Sequence, residues 1–258
     1  MMTGMNLIIP EWPAPARVRA FSTLRNGGVS LPPYGGSKGA AGLNLGTHVG
    51  DDIEAVKKNR ALLREQLPTE PAWLNQVHGS DVVNASAVKG VPDADASYTT
   101  DADTICIIMT ADCLPVLLCS ADGRVVGAAH GGWRGLASGV LQNTLQQMRA
   151  QSDADMMAWF GPAIGPRVFQ VGQDVLDVFV RQYPALAMEQ AFVPEAGNPG
   201  KYLADIYLIA RKILNGFGVS AVYGGDCCTV TDSDRFYSFR RDNGKTGRMA
   251  TGIWLMPA

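Results

Sequence analysis

The sequence predicts a single α+β domain spanning residues 1–258, and three observations carry the prediction. The length suits one large domain or two small ones, and no internal repeat or interior linker divides it. Apolar runs of strand length occur together with amphipathic helical stretches. The strands are not regularly spaced by helices, which disfavours a doubly wound parallel sheet.

Arg17 to Thr23 reads as a strand closed by the turn Arg25-Asn26-Gly27-Gly28. Residues 32–46 hold five glycines and two prolines and read as a mobile loop. Asp51 or Asp52 can cap the helix that follows, with Ile53, Val56, Leu63 and Leu67 marking its buried face and Pro68 stopping it. Ala72 to Val77 and Val82 to Val88 read as two strands joined by His78-Gly79-Ser80-Asp81. The centre is the most apolar part, with strands at Thr104 to Thr110, Pro115 to Cys119 and Arg124 to His130. A helix is expected from Leu136 to Arg149, with Leu136, Val140, Leu141, Leu145 and Met148 on one face. Met156 to Phe160 is a strand; helices follow at Gln173 to Gln182 and Tyr202 to Leu214, and strands at Ala221 to Gly224 and Arg248 to Leu255.

With 22 Lys+Arg against 24 Asp+Glu, the net charge of −2 argues against a general nucleic-acid binder. The longest apolar stretch, Ile105 to Cys119, is broken by Thr110, Asp112 and Pro115, short of a membrane span. The N-terminus lacks a basic start and Pro10 cuts its apolar run, unlike a signal peptide. A cytoplasmic protein is expected. Its five cysteines, an odd set without a CxxC, are then thiols rather than disulfides.

Three residues stand out as metal donors. His78 (Gln76-Val77-His78-Gly79) and His130 (Ala129-His130-Gly131-Gly132) each end a predicted strand where a glycine turn begins, and Cys113 sits at another strand boundary. Strand ends that converge on one rim build sites. Two imidazoles and a thiolate suit Zn²⁺ and leave a fourth position open, as catalytic zinc sites do. The spacings, 35 residues and then 17, match no short metal motif, and a lone Cys or His is usually packing or a satisfied polar group. His48 precedes a helix start, so capping or positioning is as good a role as ligation. Cys106 and Cys119 lie within apolar strand patterns and read as small hydrophobes.

Longer strings carry a resemblance. Asn44-Leu45-Gly46, Gln76 to Gly79, Thr110 to Pro115, Ala129 to Gly135, Gly161 to Pro166, Asp226 to Thr229, Phe236 to Asp242 and Thr246 to Met249 together resemble the laccase-domain family, from about Ile9 to Leu255 and in the family order. That family is also described as multicopper polyphenol oxidase, purine nucleoside phosphorylase or peptidoglycan editing factor. Gly131 stands where Ala is usual and Cys227 where Arg is common before Cys228. The loss of that Arg weakens an anion-binding role for the 226–229 loop.

The resemblance implies mixed β-sheets layered between helices, in a cysteine-hydrolase-like fold. It places the metal ligands on His78, Cys113 and His130, with Zn²⁺ the expected ion and Cu²⁺ an alternative. It implies phosphorolysis of purine nucleosides (adenosine, inosine, guanosine, 5′-methylthioadenosine) to base and ribose 1-phosphate, with adenosine deamination in the same site. The partners are then a purine nucleoside and phosphate, not a nucleic acid or a membrane.

Phosphorolysis needs a held phosphate, a stabilised ribosyl cation and a protonated leaving base. Arg25, Arg240 and Arg241 are the arginines expected to hold phosphate, with a plain surface charge as the alternative for each. Arg134 could instead fix the His130 turn. Asn44 suits a ribose hydroxyl or purine edge, or a turn in its glycine-rich loop. Asp112 could orient a ligand or move a proton as a catalytic group, or cap a strand end. The H-x-E and P-C-x-x-C strings of the zinc deaminases are absent. Three histidines cannot build a multicopper cluster. A Cys–His amidase acting on peptidoglycan precursors, with Cys113 as nucleophile, uses the same three residues.

Overall fold

The computed structural model describes residues 6–257. In chain order its elements are β1 (Leu7–Ile8), β2 (Val18–Thr23), β3 (Asn26–Ser30), α1 (Ile53–Arg64), β4 (Val82–Asn84), β5 (Ala96–Thr99), β6 (Cys106–Thr110), β7 (Leu114–Ser120), β8 (Val126–Gly131), α2 (Trp133–Ser138), α3 (Val140–Arg149), β9 (Met156–Phe160), β10 (Gln170–Gly172), α4 (Gln173–Gln182), β11 (Phe192–Pro194), β12 (Lys201–Ala204), α5 (Ile206–Gly216), β13 (Ala221–Gly224) and β14 (Met249–Leu255).

Strand alternation builds the layers. In β7 every residue is buried, as in a central strand covered on both faces. Val116 and Leu118 point to one face, into a core shared with α3, α4 and α5. Leu117 and Cys119 point to the other, against Val18, Ile108 and Ile253 of a second sheet. That second sheet turns Phe21, Ile107 and Trp254 outward onto Leu63 of α1. The expected α+β architecture, mixed sheets layered between helices, is what the chain forms. The larger sheet has the order β13-β9-β7-β8-β5-β4, the second β1-β2-β14-β6, and a small third sheet β10-β12-β11. Both parallel pairs, β13 with β9 and β4 with β5, sit at the edges of the larger sheet. Among the described residues no helix is long and apolar enough to cross a membrane.

Five local expectations are corrected. The turn at Arg25 to Gly28 belongs largely to β3. The glycine-rich segment 32–46 is not a free loop at its end, because Leu43, Asn44 and Leu45 are fully buried. Residues 72–77 make only isolated bridges, at Ala72 and Asn75. The helix expected at 136–149 starts earlier and is broken at Gly139, whose φ of 94° ends α2 in the left-handed region. The helix expected from Tyr202 begins at Ile206; Lys201–Ala204 is a strand, and Asp205 caps α5 by accepting the Leu208 N–H at 2.9 Å.

The register positions the site. β7 and β8 are antiparallel with Leu114 opposite Gly131, so the entry to β7 lies against the exit from β8. Cys113 immediately precedes the first of these residues and His130 the second. The turn Ala111-Asp112-Cys113 also joins β6 of one sheet to β7 of the other.

Candidate metal centre

The donor atoms of His78, Cys113 and His130 all lie within 4.8 Å of one another. Cys113 Sγ is 3.8 Å from His78 Nε2, and the two imidazoles meet edge to face with centroids 4.7 Å apart. His130 is buried, Cys113 half-buried and His78 exposed, so the cluster opens on one side. Gly132 leaves the space they occupy: a Cβ there would stand 2.9 Å from His78 Cδ2 and 3.2 Å from Cys113 Sγ.

One carboxylate that the sequence reading did not single out organises both histidines. Asp95 is fully buried just before β5. Its Oδ1 accepts from His130 Nδ1 at 2.7 Å and from the His78 N–H at 3.0 Å. Its Oδ2 accepts the N–H groups of Val77 at 3.1 Å and Gly79 at 2.7 Å. These bonds hold His78 at φ 60°, a left-handed conformation that a non-glycine residue adopts only when its surroundings impose it. They also fix the proton of His130 on Nδ1 and leave Nε2 as its donor atom. Burial raises the Asp95 carboxyl, but the bond from His130 and those from the backbone outweigh it and hold it below its ordinary value.

Charge in the cluster follows the same contacts. Burial opposes the Cys113 thiolate, yet the neighbouring His130 and the bonds from both imidazoles bring the thiol down to about 6. Burial opposes the His130 imidazolium, yet Cys113 and Asp95 raise it to about 9. Two nitrogens and a sulfur poised as thiolate are a donor set that can hold a metal ion.

The cluster forms part of the wall of a cavity of about 460 Å³, within the range of small-molecule sites. Trp133, Ile164, Phe169, Ile206 and Phe239 give it apolar sides, and Gln76 supports it through paired hydrogen bonds with the Met109 backbone at 2.8 Å. His48, Arg134, Arg240 and Arg248 bring polar and charged groups. Phe239 is 53% exposed, so an aromatic face stands at the cavity mouth.

The expected substrate-binding residues divide. Arg240 lines the cavity, although its guanidinium donates to the Gln170 carbonyl at 3.2 Å. Arg25, Arg241 and Asn44 do not line it. Arg25 donates to the carbonyls of Ser233 and Gly35, both at 2.9 Å, and lies over the Tyr237 ring. Arg241 pairs with Asp242 and donates to the Thr229 and Phe236 carbonyls. Asn44 closes a turn with the Gly46 N–H, bonds Asp51 and accepts the Arg248 N–H at 2.9 Å. Asp112 lines the cavity at φ 92°. Its Oδ1 accepts from the Thr229 hydroxyl, and its Oδ2 from the Ser238 hydroxyl and the Arg240 N–H. In this position it clasps the Cys113 turn to the C-terminal loops. Arg134 makes no ion pair with the His130 turn and lies over the Trp133 ring.

Comparison with known proteins extends this picture. Residues 19–256 match the family described as multi-copper polyphenol oxidoreductase laccase. A purine nucleoside phosphorylase of Pseudomonas aeruginosa is 50% identical over 248 residues, covering 96% of this chain and 98% of that protein. The purine nucleoside phosphorylase YfiH of Escherichia coli is 47% identical over 253 residues, covering 97% and 99%. The crystal structure of a Neisseria meningitidis protein, 51% identical, superimposes with a TM-score of 0.87 over 98% of this chain and 100% of the other. That of YlmD from Geobacillus stearothermophilus, 31% identical, gives 0.82 over 94% and 93%.

Proposed function

The chain belongs to the multi-copper polyphenol oxidoreductase laccase family, and from that premise we propose that it is a zinc-dependent purine nucleoside phosphorylase of the cytoplasm. Adenosine, inosine, guanosine and 5′-methylthioadenosine are its substrates, with deamination of adenosine as a side activity in the same site. The observation that carries this reading is the union, in one cavity, of a His–Cys–His donor set, apolar and aromatic walls and arginines.

His78, Cys113 and His130 would hold the zinc, which would supply Lewis acidity. The chain's own groups do the rest. Asp95 holds the His130 tautomer and the His78 backbone. Trp133, Phe169 and Phe239 offer flat apolar faces to a purine and keep water from the ribose. The arginines attract phosphate. Five free thiols suit a reducing compartment. A multicopper oxidase is disfavoured, because His78, Cys113 and His130 are the one such donor cluster among the described residues.

A Cys–His amidase acting on peptidoglycan precursors is the second reading. It is favoured by the alignment of Cys113, His130 and Asp95 in the order nucleophile, base and orienting carboxylate. Incubation of metal-quantified protein with adenosine, with and without phosphate, separates the readings. Adenine and ribose 1-phosphate formed only with phosphate and in proportion to zinc support the phosphorylase. Inosine alone, or no product from fully loaded protein, overturns it. Metal-free protein that cleaves an amide and is silenced by alkylation of Cys113 supports the amidase.

A further inference from the structure

Three arginines line the cavity, Arg134, Arg240 and Arg248, and among the described residues none forms an ion pair with a carboxylate. The carboxylate in the same wall, Asp112, already accepts bonds from Thr229, Ser238 and the backbone of Arg240. Three guanidinium groups thus face the charge of Asp112 and of a Cys113 thiolate in this wall, so positive charge is in excess there.

Arg248 is the most enclosed of the three: it is half-buried, whereas Arg134 and Arg240 are exposed. Its position is fixed from several sides. Its N–H donates to Asn44 Oδ1, its Nη1 donates to the carbonyls of Thr246 and Gly247 at 3.1 Å, and its Cγ fills the space that Gly46 leaves by lacking a Cβ. Nε and Nη2 have no protein acceptor among the described residues. Burial opposes its charge, Cys113 and Asp112 favour that charge without bonding those two groups, and two free N–H donors on a half-buried guanidinium match an oxyanion. His48 lies beside it on the same cavity wall. Burial, and then the charges of Arg248 and Arg60, hold its imidazole below the ordinary value, so it is a neutral hydrogen-bonding partner at neutral pH.

We propose that Arg248, with His48 beside it, forms the subsite for inorganic phosphate. The assignment rests on the phosphorylase reading for its purpose, but not for its test. It moves the phosphate site away from Arg25 and Arg241, whose guanidinium groups are engaged by backbone carbonyls outside the cavity.

Calorimetric titration of zinc-loaded protein with inorganic phosphate, ionic strength held constant with potassium chloride, reads the subsite without turnover. Wild type binds one equivalent. Arg248→Gln weakens binding by roughly 10- to 150-fold, the range for hydrogen bonds to a charged group. Arg248→Lys recovers part of the loss, because it keeps the charge without the fork. His48→Gln weakens binding less, and Arg25→Gln leaves it unchanged. Zinc content and melting temperature report folding, and Arg248→Lys carries the test if Arg248→Gln does not fold. Phosphate affinity equal to wild type in the folded Arg248 variants overturns the proposal, as does wild type that binds no phosphate at constant ionic strength. A failure of the phosphorylase reading looks different. Phosphate then binds through Arg248 but adenosine gives no ribose 1-phosphate, which supports the anion subsite and overturns the reaction alone.

Discussion

Oδ1 of Asp95 accepts the Nδ1 proton of His130 at 2.7 Å and, at 3.0 Å, the backbone N–H of His78, so one buried oxygen sets the positions of two residues of the cluster that could hold a metal. Removing its charge while keeping its shape isolates that role. Asp95→Asn retains an acceptor for the backbone but offers His130 a weaker partner. Metal affinity and kcat/KM are expected to fall by ~10- to 100-fold, the range for groups that orient a ligand. Asp95→Ala leaves three amides of residues 77–79 without their acceptor and lowers the melting temperature as well. Zinc titration and thermal melts of the two variants check this; unchanged zinc affinity in Asp95→Asn removes Asp95 from the site.

The clustering of His78, Cys113 and His130 was legible in the sequence because each lies beside a glycine or a chain turn, and because their strings match a family order; of the three, only Cys113 and His130 stand at strand ends. Asp95 was not legible. It lies among Asp81, Asp93 and Asp101, and nothing in that run of carboxylates distinguishes the one that faces inward until β5 is seen to begin at Ala96. The usable signal was chemical: a histidine that ligates a metal commonly donates its second nitrogen to a carboxylate. The central strands were legible from apolar runs and the layering only through the family resemblance, whereas the small sheet formed by β10, β11 and β12 escaped because its strands have only three or four residues and little alternation. Arg25, Arg241 and Asn44 were chosen by residue type and loop setting, and neither can tell a guanidinium that faces a cavity from one that caps loop carbonyls.

Stripped of metal, Cys113 should behave as an acidic thiol. With the thiol brought down to about 6, the thiolate is the main form at neutral pH and is lost as the pH falls through that value. Alkylation by iodoacetamide, mapped to Cys113 by peptide mass, is expected to hold nearly constant from pH 8 to 7 and to halve near pH 6. Cys106 and Cys119, whose thiols burial pushes up to about 12, stay unmodified. Stoichiometric zinc protects Cys113. A rate that halves near the ordinary thiol value, or that ignores zinc, contradicts the arrangement.

The cysteines differ sharply in what their loss should do. Cys113→Ala removes the only sulfur donor of the cluster and is expected to lose most bound zinc and nearly all activity. Cys106 and Cys119 are packed in strands, and Cys228 Sγ accepts the Gly165 N–H at 3.3 Å. Replacing Cys106, Cys119, Cys227 or Cys228 by Ser or Ala should leave kcat within about tenfold, a barrier change under ~1.4 kcal/mol. Normal zinc occupancy in Cys113→Ala would sink the donor assignment, and a far larger loss at Cys228 in folded protein would add it to the site.

Gly132 offers a test that adds a single methyl group and removes no donor. Its φ of −63° is one that alanine adopts freely, so the backbone has no objection to the change. The objection is spatial: the new Cβ would stand 2.9 Å from His78 Cδ2 and 3.2 Å from Cys113 Sγ. The side chain that can yield is His78, which is exposed and held chiefly through its backbone, whereas Cys113 is fixed at the entry to β7. Gly132→Ala should therefore swing the His78 imidazole away from the cluster at little cost to the fold. A melting temperature for the metal-free protein within a few degrees of wild type is expected, together with a loss of activity on the order of 100-fold, as for a reacting group misplaced by about an ångström. Metal-free melts and zinc titration of the same sample separate the two effects. Wild-type zinc affinity in the folded variant would mean that the space beside Gly132 is not where the metal's ligands meet.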